Sequence, residues 1–433
     1  MSGFRMNQVI EAHYPLSFRK ADAQTLGQHL RQHNSVSLIG MKRVGISNFL
    51  RFFLNHPKVP LTYIREGEHV FIVVDFNDLV EKSLYAFWML TLKRVVDTIE
   101  AGKFSDEIKQ QSRATFAQSI QLSDFFFTLE AVHKLIRLIV AQNQYVTLFF
   151  LRFDRLQEAI TPEFFANIQG LKDSGKHLSY VFTSYRPLHE MVPEVFTRSA
   201  LSGFCEEMYL KPAEPEDTKV ILSTFRDRYD LKLKPAVEQK ILELSGGHAH
   251  YLHLSLIKLK NENGEESDLL DVLLQDEEIR FLSEELFTSL SPAEQELLLR
   301  AESLTKQPAT PTELTHGKYL WETGMLKTVE KHARVFSPLF RAYLMELKRR
   351  QQKPNNDLTK KEHLLFSLLK DHEGELVERE KIIEAVWPDE VEFGVSDWSI
   401  DRLVSRVRVK LRAQGSEYKI VTVITRGYKL AKK

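Results

Sequence analysis

Apolar positions fall in two alternating registers along the first half of the chain. Continuous apolar runs at 36–39 (VSLI), 70–76 (VFIVVDF), 145–154 (YVTLFFLRFD) and 177–186 (HLSYVFTSYR) have strand length and are apolar on both faces. Between them lie segments with helical spacing: ADAQTLGQHLRQ, NFLRFFLNH up to Pro57, residues 84–99, and SDFFFTLEAVHKLIRLIVAQN with Ser123 and Asp124 near its start. Residues 102–119 carry little apolar periodicity and read as loop. Strands alternating with helices predict a parallel sheet covered on both faces.

From Glu206 onward no further strand is predicted until the C-terminal module. PAEPEDTKVILSTFRDRY and PAVEQKILELSGGHAHYLHLSLIKL read as helices punctuated by proline and glycine, and 277–348 is mostly helical, with SPAEQELLLRA as a helix start. The polar stretch KRRQQKPNND reads as a linker. Beyond it, Thr359 and Glu362 form a capping box ahead of an apolar face of Leu365, Leu368 and Leu369. VEREKIIEAVW is a short helix ended by Pro388. The acidic turn DEVEFGVSD leads into the helix WSIDRLVSRVRVKLRA, and YKIVTVITRGYKLA alternates as a hairpin turning at Thr425-Arg426-Gly427. The expected division is 1–205 α/β domain, 206–275 helical lid, 276–347 winged-helix-like segment, 348–357 linker and 358–433 winged helix.

Length agrees with several domains, since 433 residues exceed what one ordinary core accommodates. With 43% hydrophobic and 27% charged residues the composition is that of a soluble globular protein. No run approaches the ~18 apolar residues of a membrane span, and MSGFRMNQVIEAH has no apolar signal core, so a cytoplasmic location without membrane contact is expected. The single cysteine, Cys205, excludes an internal disulfide and a cysteine-based zinc cluster. His248, His250 and His253 do not share one helix face, so no local zinc site is expected.

The zero net charge hides an asymmetry. From Arg402 to the end there are ten Lys/Arg against Glu417 alone, whereas 358–401 carries five basic and twelve acidic residues.

Candidate chemistry begins at GMKRVGIS. Gly40 and Gly45 have the spacing of the phosphate-binding pattern G-x-x-x-x-G-K-[ST], and Ser47 falls where a hydroxyl would hold Mg²⁺. Ile46 occupies the lysine position and supplies no cation. Asp154, closing the run FFLRFD, stands where the second acidic site of such a domain is expected. Over roughly residues 18–343 the chain resembles STAND/AAA+ P-loop ATPases through GMKRVGIS, FFLRFD, FTSYR with Arg186, SGGHAHYL, and the late FSPLFRAYL. The resemblance implies a P-loop NTPase-like body with a helical lid and a winged-helix-like segment. Its nucleotide positions would be Gly40, Gly45, Ser47, Asp154 and Arg186. Three departures fall on chemistry: Ile46 for lysine, Arg155 for an acidic residue that positions water, and Ala249 for the lid proline. A retained scaffold that holds no ATP or Mg²⁺ and does not hydrolyse ATP is therefore expected, with Lys42 or Arg43 as the replacement cation in the alternative. No catalytic residues and no metal are assigned.

At the C-terminus, LTKKEHLLFSLL, EGELVEREKIIEAVW, SIDRLVSRVRVKL and TVITRGYKL resemble the OmpR/PhoB-type winged helix-turn-helix. At 100° per residue, Ile400, Leu403, Val404, Val407 and Leu411 share the core arc. The opposite arc presents Arg402, Ser405, Arg406, Arg408, Val409 and Arg412, flanked by Lys410. Such a face suits base edges, phosphates and, at Val409, a thymine methyl. Arg426 on the wing is placed for the minor groove, and Thr422 and Tyr428 match family positions near the backbone. A basic helix and wing opposed to acidic helices is the footprint of a double-stranded DNA face. The acidic turn at Asp389, Glu390 and Glu392 occupies the position that contacts RNA polymerase in that family.

Together these readings predict a bacterial-type, DNA-binding transcription regulator. Its body would be an inactive P-loop platform for sensing or homo-oligomerisation. The alternatives are an ATP-switched STAND regulator and an origin-recognition-like AAA+ protein.

Overall fold

The computed structural model describes residues 9–64, 69–173, 177–193, 204–261, 269–301, 317–329, 332–352, 358–388, 395, 397–423 and 426–432. Those residues form two compact units, one drawn from 1–267 and 289–338, the other from 268–288 and 339–433. The segment 276–347 is thus shared between them.

The first unit is built on five parallel strands, β1 (Val36–Ile39), β2 (His69–Asp75), β3 (Tyr145–Leu151), β4 (Leu178–Ser184) and β5 (Glu206–Tyr209), in the order β2-β3-β4-β1-β5. β1 and β4 are buried at every residue, which explains their unbroken apolar runs. Helices α1 (Lys20–Arg31), α2 (Ile46–Asn55), α3 (Leu84–Ala101), α4 (Asp106–Leu122), α5 (Phe125–Ala141), α6 (Pro162–Asp173) and the short α7 (Leu188–Met191) belong to this layer. An aromatic cluster that includes Phe76, Phe87, Trp88, Phe150, Phe153, Phe164 and Phe182 lies at the centre of its core. The side chain of Asp124 caps α5 by accepting from the Phe127 N–H at 2.7 Å.

Two expectations fail here. The stretch read as loop at 102–119 is largely helix α4. Ser105 caps it, Asp106 and Glu107 occupy its first turn, and it buries Ser112, Thr115 and Ser119 rather than large apolar residues. Ser112 and Ser119 satisfy their hydroxyls on the carbonyls of Lys109 and Thr115, so a polar stripe packs at helical spacing and hides the periodicity. Strands also continue past Glu206. β5 pairs with β1 as a four-residue edge whose Glu206 and Glu207 stay exposed, leaving too little apolar pattern to read.

Three helices, α8 (Pro215–Tyr229), α9 (Pro235–Ser245) and α10 (Ala249–Asn261), follow. Farther on come α13 (Pro292–Arg300), α14 (Lys318–Glu322) and the antiparallel hairpin of β6 (Leu326–Val329) and β7 (His332–Val335), which the sequence did not announce.

The second unit contains α11 (Leu269–Gln275), α12 (Glu277–Thr288), most of α15 (Pro338–Gln352) and the C-terminal module. In the module, α16 (Lys360–Asp371), α17 (Arg379–Val386) and α18 (Asp397–Ala413) pack on a sheet ordered β8-β10-β9. Its strands are β8 (Val377–Glu378), β9 (Tyr418–Val423) and β10 (Gly427–Lys432). The expected capping box is present at Thr359 and Glu362. Leu365, Leu369, Trp387, Ile400, Leu403, Val404, Val407, Leu411 and Tyr428 are among the residues of a separate core.

Candidate nucleic-acid interface

The P-loop candidates gather at the C-terminal edge of the sheet, where open α/β folds place ligands. The turn from β1 to α2 needs left-handed backbone at Arg43 (φ 61°) and Gly45 (φ 117°). Met41 and Val44 are buried within it, and Ser47 is exposed at the start of α2. The Ile46 side chain folds back over the loop, its Cδ1 only 3.2 Å from where a Cβ on Gly40 would stand.

The turn between α9 and α10 packs on this loop. Gly246 and Gly247 adopt positive φ (59° and 82°), and a Cβ at Gly247 would lie 2.0 Å from the Ala213 carbonyl oxygen. This double glycine carries His248 inward, where its Nε2 lies 3.0 Å from the Lys42 carbonyl oxygen while its Nδ1 accepts from the Tyr251 N–H. Burial lowers the His248 pKa to about 4, so the ring is neutral and Nε2 donates. Ala249 abuts the loop, 3.2 Å from a Cβ placed on Gly45. His253 stacks on Phe225 and bonds the Tyr229 hydroxyl at 2.6 Å. Among the described residues no His/Cys/Asp/Glu group could hold a metal ion.

Asp154 sits past the end of β3 in a 3-10 turn, Phe153–Ala159. Burial raises its carboxyl above the usual range, against the opposing charges of Lys42, Arg155 and Arg152. Arg155 donates to the Asn77 side chain. Arg186 is committed elsewhere in the same unit. Its two Nη atoms bond the Glu294 carboxylate at 2.8 and 2.5 Å, and its guanidinium lies 3.9 Å above the Tyr319 ring centroid. At the positions where a triphosphate and Mg²⁺ would be met, Ile46 supplies no cation, Arg155 no carboxylate, and Arg186 is engaged by Glu294.

In the second unit, Ile400, Leu403, Val404, Val407 and Leu411 are all buried, as the helical arc predicts. The basic arc divides into two stripes. Toward the wing, Arg408 donates to the Ile420 carbonyl (2.9 Å) and to Thr422 Oγ1 (2.8 Å), and burial lowers its pKa. Tyr428 is buried, donates its hydroxyl to Asp401, and lies beneath the Arg379 guanidinium, which pairs with Asp401 at 2.6 Å. Thr422, Arg408 and Tyr428 therefore brace the wing against α18.

On the other stripe, Arg406 and Lys410 converge on Glu362, at 2.7 and 2.6 Å, whose side chain has 0% exposure. The same carboxylate accepts the Thr359 N–H at 2.7 Å. Arg402 and Arg406 each stand 3.9 Å from Glu284 of α12, with side chains 17% and 13% exposed. Arg402 also reaches Thr288, and the Arg406 guanidinium lies 5.3 Å over the Phe281 ring. Between the stripes Val409 is 61% exposed, Ser405 is half-buried, and Arg412 and Arg426 are exposed. Thr425 and the acidic turn of Asp389, Glu390 and Glu392 lie outside the described residues.

In the sequence pattern Glu362 stands out only as a cap. Its second role, clamping Arg406 and Lys410 one helix away, is a long-range contact without a local signature. The bracing by Arg379 and Asp401 and the approach of Phe281 and Glu284 were equally invisible.

Residues 352–430 match the family described as "Transcriptional regulatory protein, C terminal". The C-terminal module is an OmpR/PhoB-type winged helix. Its family is one of DNA-binding transcription regulators. No curated protein matches the chain. Among solved structures, a Walker-type ATPase of Pyrococcus abyssi is similar at 16% identity and TM-score 0.46, over 76% of this chain and 95% of that one. The Aeropyrum pernix ORC2 protein is similar at 13% and 0.43, over 81% and 100%. The Thermotoga maritima RuvB Holliday junction branch migration motor is similar at 12% and 0.34, over 76% and 93%. The P-loop-like character of the body rests on its own strand order and on the loop between β1 and α2. Among the described residues no helix is long and apolar enough to cross a membrane.

Proposed function

We propose that this chain is a transcription regulator that reads double-stranded DNA with α18 and the β9–β10 wing. In this reading its P-loop-like body performs no ATP turnover and serves as a sensing or oligomerisation platform. The observation that carries it is a family-matched winged helix whose exposed edge presents Val409, Arg412 and Arg426 beside the Arg402–Arg406 stripe. Arginines there suit guanine edges and phosphates, and the wing cation suits the minor groove. Ile46, Arg155 and the Arg186–Glu294 pair support an inactive body. Selection of oligonucleotides by the full-length protein tests the DNA reading. One sequence class should be enriched, and Arg412→Ala with Arg426→Ala should weaken binding and flatten its salt dependence. Unchanged affinity and salt slope would sink it.

A second reading, an ATP-switched regulator, is favoured by Lys42 and Asp154, which feel each other's charge at the loop. Labelled ATP, with and without Mg²⁺, separates the two. Micromolar binding lost on Ser47→Ala and Asp154→Ala would establish the switch in place of the inactive platform.

A further inference from the structure

The family match begins at residue 352, yet the Arg402–Arg406 stripe of α18 is met by α12, which ends at Thr288 and belongs to a different stretch of the chain. The contact is complementary at several points. Ser399 donates to Glu278, Glu284 faces both arginines, and Phe281 lies under the Arg406 guanidinium and edge-on to Trp398 at 6.0 Å. An acidic, aromatic-bearing helix thus takes the positions where phosphates and bases would lie against this stripe.

At Glu284 the contact is looser than the module's own bonds, while Lys361 pairs with Glu277 at the start of α12 at 3.0 Å. Glu284 stands 3.9 Å from each arginine, whereas Glu362 holds Arg406 and Lys410 at 2.7 and 2.6 Å. Burial keeps the Glu284 carboxyl above its ordinary range despite Arg402 and Arg406, so the carboxylate gains less from the arginines than it loses in hydration. A cavity of about 150 Å³, lined in part by Arg280, Glu284, Tyr343 and Arg406, lies beside the contact.

We propose that α12 is an intramolecular cover on the DNA-reading helix, occupying the Arg402–Arg406 stripe until it is displaced. The inference rests on the DNA-binding reading above. DNA and α12 then compete for the same two guanidinium groups, and the apparent affinity for DNA is reduced by the fraction of molecules in which α12 is seated.

The test uses the full chain and the duplex selected with it, with the dissociation constant measured by fluorescence anisotropy. Phe281→Ala changes no charge, and Glu284→Lys sets a like charge against Arg402 and Arg406. Each should tighten binding several-fold, and together about tenfold, while Glu296→Lys on α13 controls for net charge. Amide exchange of residues 277–288, with and without duplex, reads the cover directly in the wild-type chain, so a misfolded variant does not leave the matter open. Faster exchange in bound protein supports the cover. Bound duplex with unchanged exchange of α12, or unchanged affinity in folded variants, overturns the cover alone. Absence of duplex binding by wild type and variants alike removes the DNA reading and the cover together.

Discussion

Replacing Glu362 by glutamine removes one charge from the most buried ionic site of the C-terminal module. The side chain is fully buried and pairs with Arg406 and Lys410, themselves only 13% and 23% exposed. Removing one partner of a buried ion pair costs about 3–5 kcal/mol, because the remaining charge stays desolvated. Glutamine keeps the capping role of an N3 residue, so this variant isolates the charge. Alanine also forfeits the bond from the Thr359 N–H, for about 1 kcal/mol more. The assay is amide exchange across residues 360–371 in the full chain, which reads local opening without assuming a two-state unfolding of both units. A loss of about 3 kcal/mol corresponds to roughly 100-fold faster exchange. The pH dependence has a definite sign. Burial raises the Glu362 carboxyl, but Arg406, Lys410 and the Thr359 N–H outweigh it and leave the pKa below the ordinary value. The stabilisation is therefore present above the unfolded pKa of about 4.3 and is lost as pH falls below that toward the folded value. Wild-type exchange should accelerate in that acid window more steeply than that of Glu362→Gln. If glutamine costs under about 1 kcal/mol, the site behaves like an exposed pair, and Glu362 does not clamp Arg406 and Lys410 as a buried charge.

Three further outcomes are expected. Arg426→Ala should weaken duplex binding across sequences and lower the salt slope by about one; an unchanged slope places the wing away from DNA. Ile46→Lys should not produce phosphate release from ATP, because Arg155 and the Arg186–Glu294 pair remain; steady turnover in this variant would show that one side chain alone silenced the body. Gly247→Ala should cost more than about 2 kcal/mol, since the new Cβ would enter the Ala213 carbonyl at 2.0 Å with φ at 82°. A fully stable variant by thermal melting would mean that the double-glycine turn is not held against that carbonyl.

The legible parts of this protein are those written in local patterns. The apolar runs at 36–39, 145–151 and 178–184 became buried parallel strands because a strand covered on both faces needs apolar residues at consecutive positions. The arc of α18 from Ile400 to Leu411 and the Thr359–Glu362 capping box were equally plain, since each rests on spacing within one helix. Helix α4 escaped because its buried stripe is serine and threonine, and β5 because an edge strand of four residues carries almost no pattern.

The roles of particular charges required the tertiary structure. An arginine's position on a helix shows which way it faces, but its partner comes from elsewhere in the chain. Arg186 follows the end of β4, at a nucleotide position that the resemblance implies, and Glu294, 108 residues on, takes it. Arg402 and Arg406 face outward on the helical wheel, and Glu284 and Glu362 decide whether that face is open. The sequence by itself determined four strands of the sheet, the double-glycine turn and the winged helix, because their patterns lie within stretches of a few residues. Only the tertiary structure decided which cations remain available, because electrostatic partners at 2.5–4 Å are chosen by packing between segments far apart in the chain.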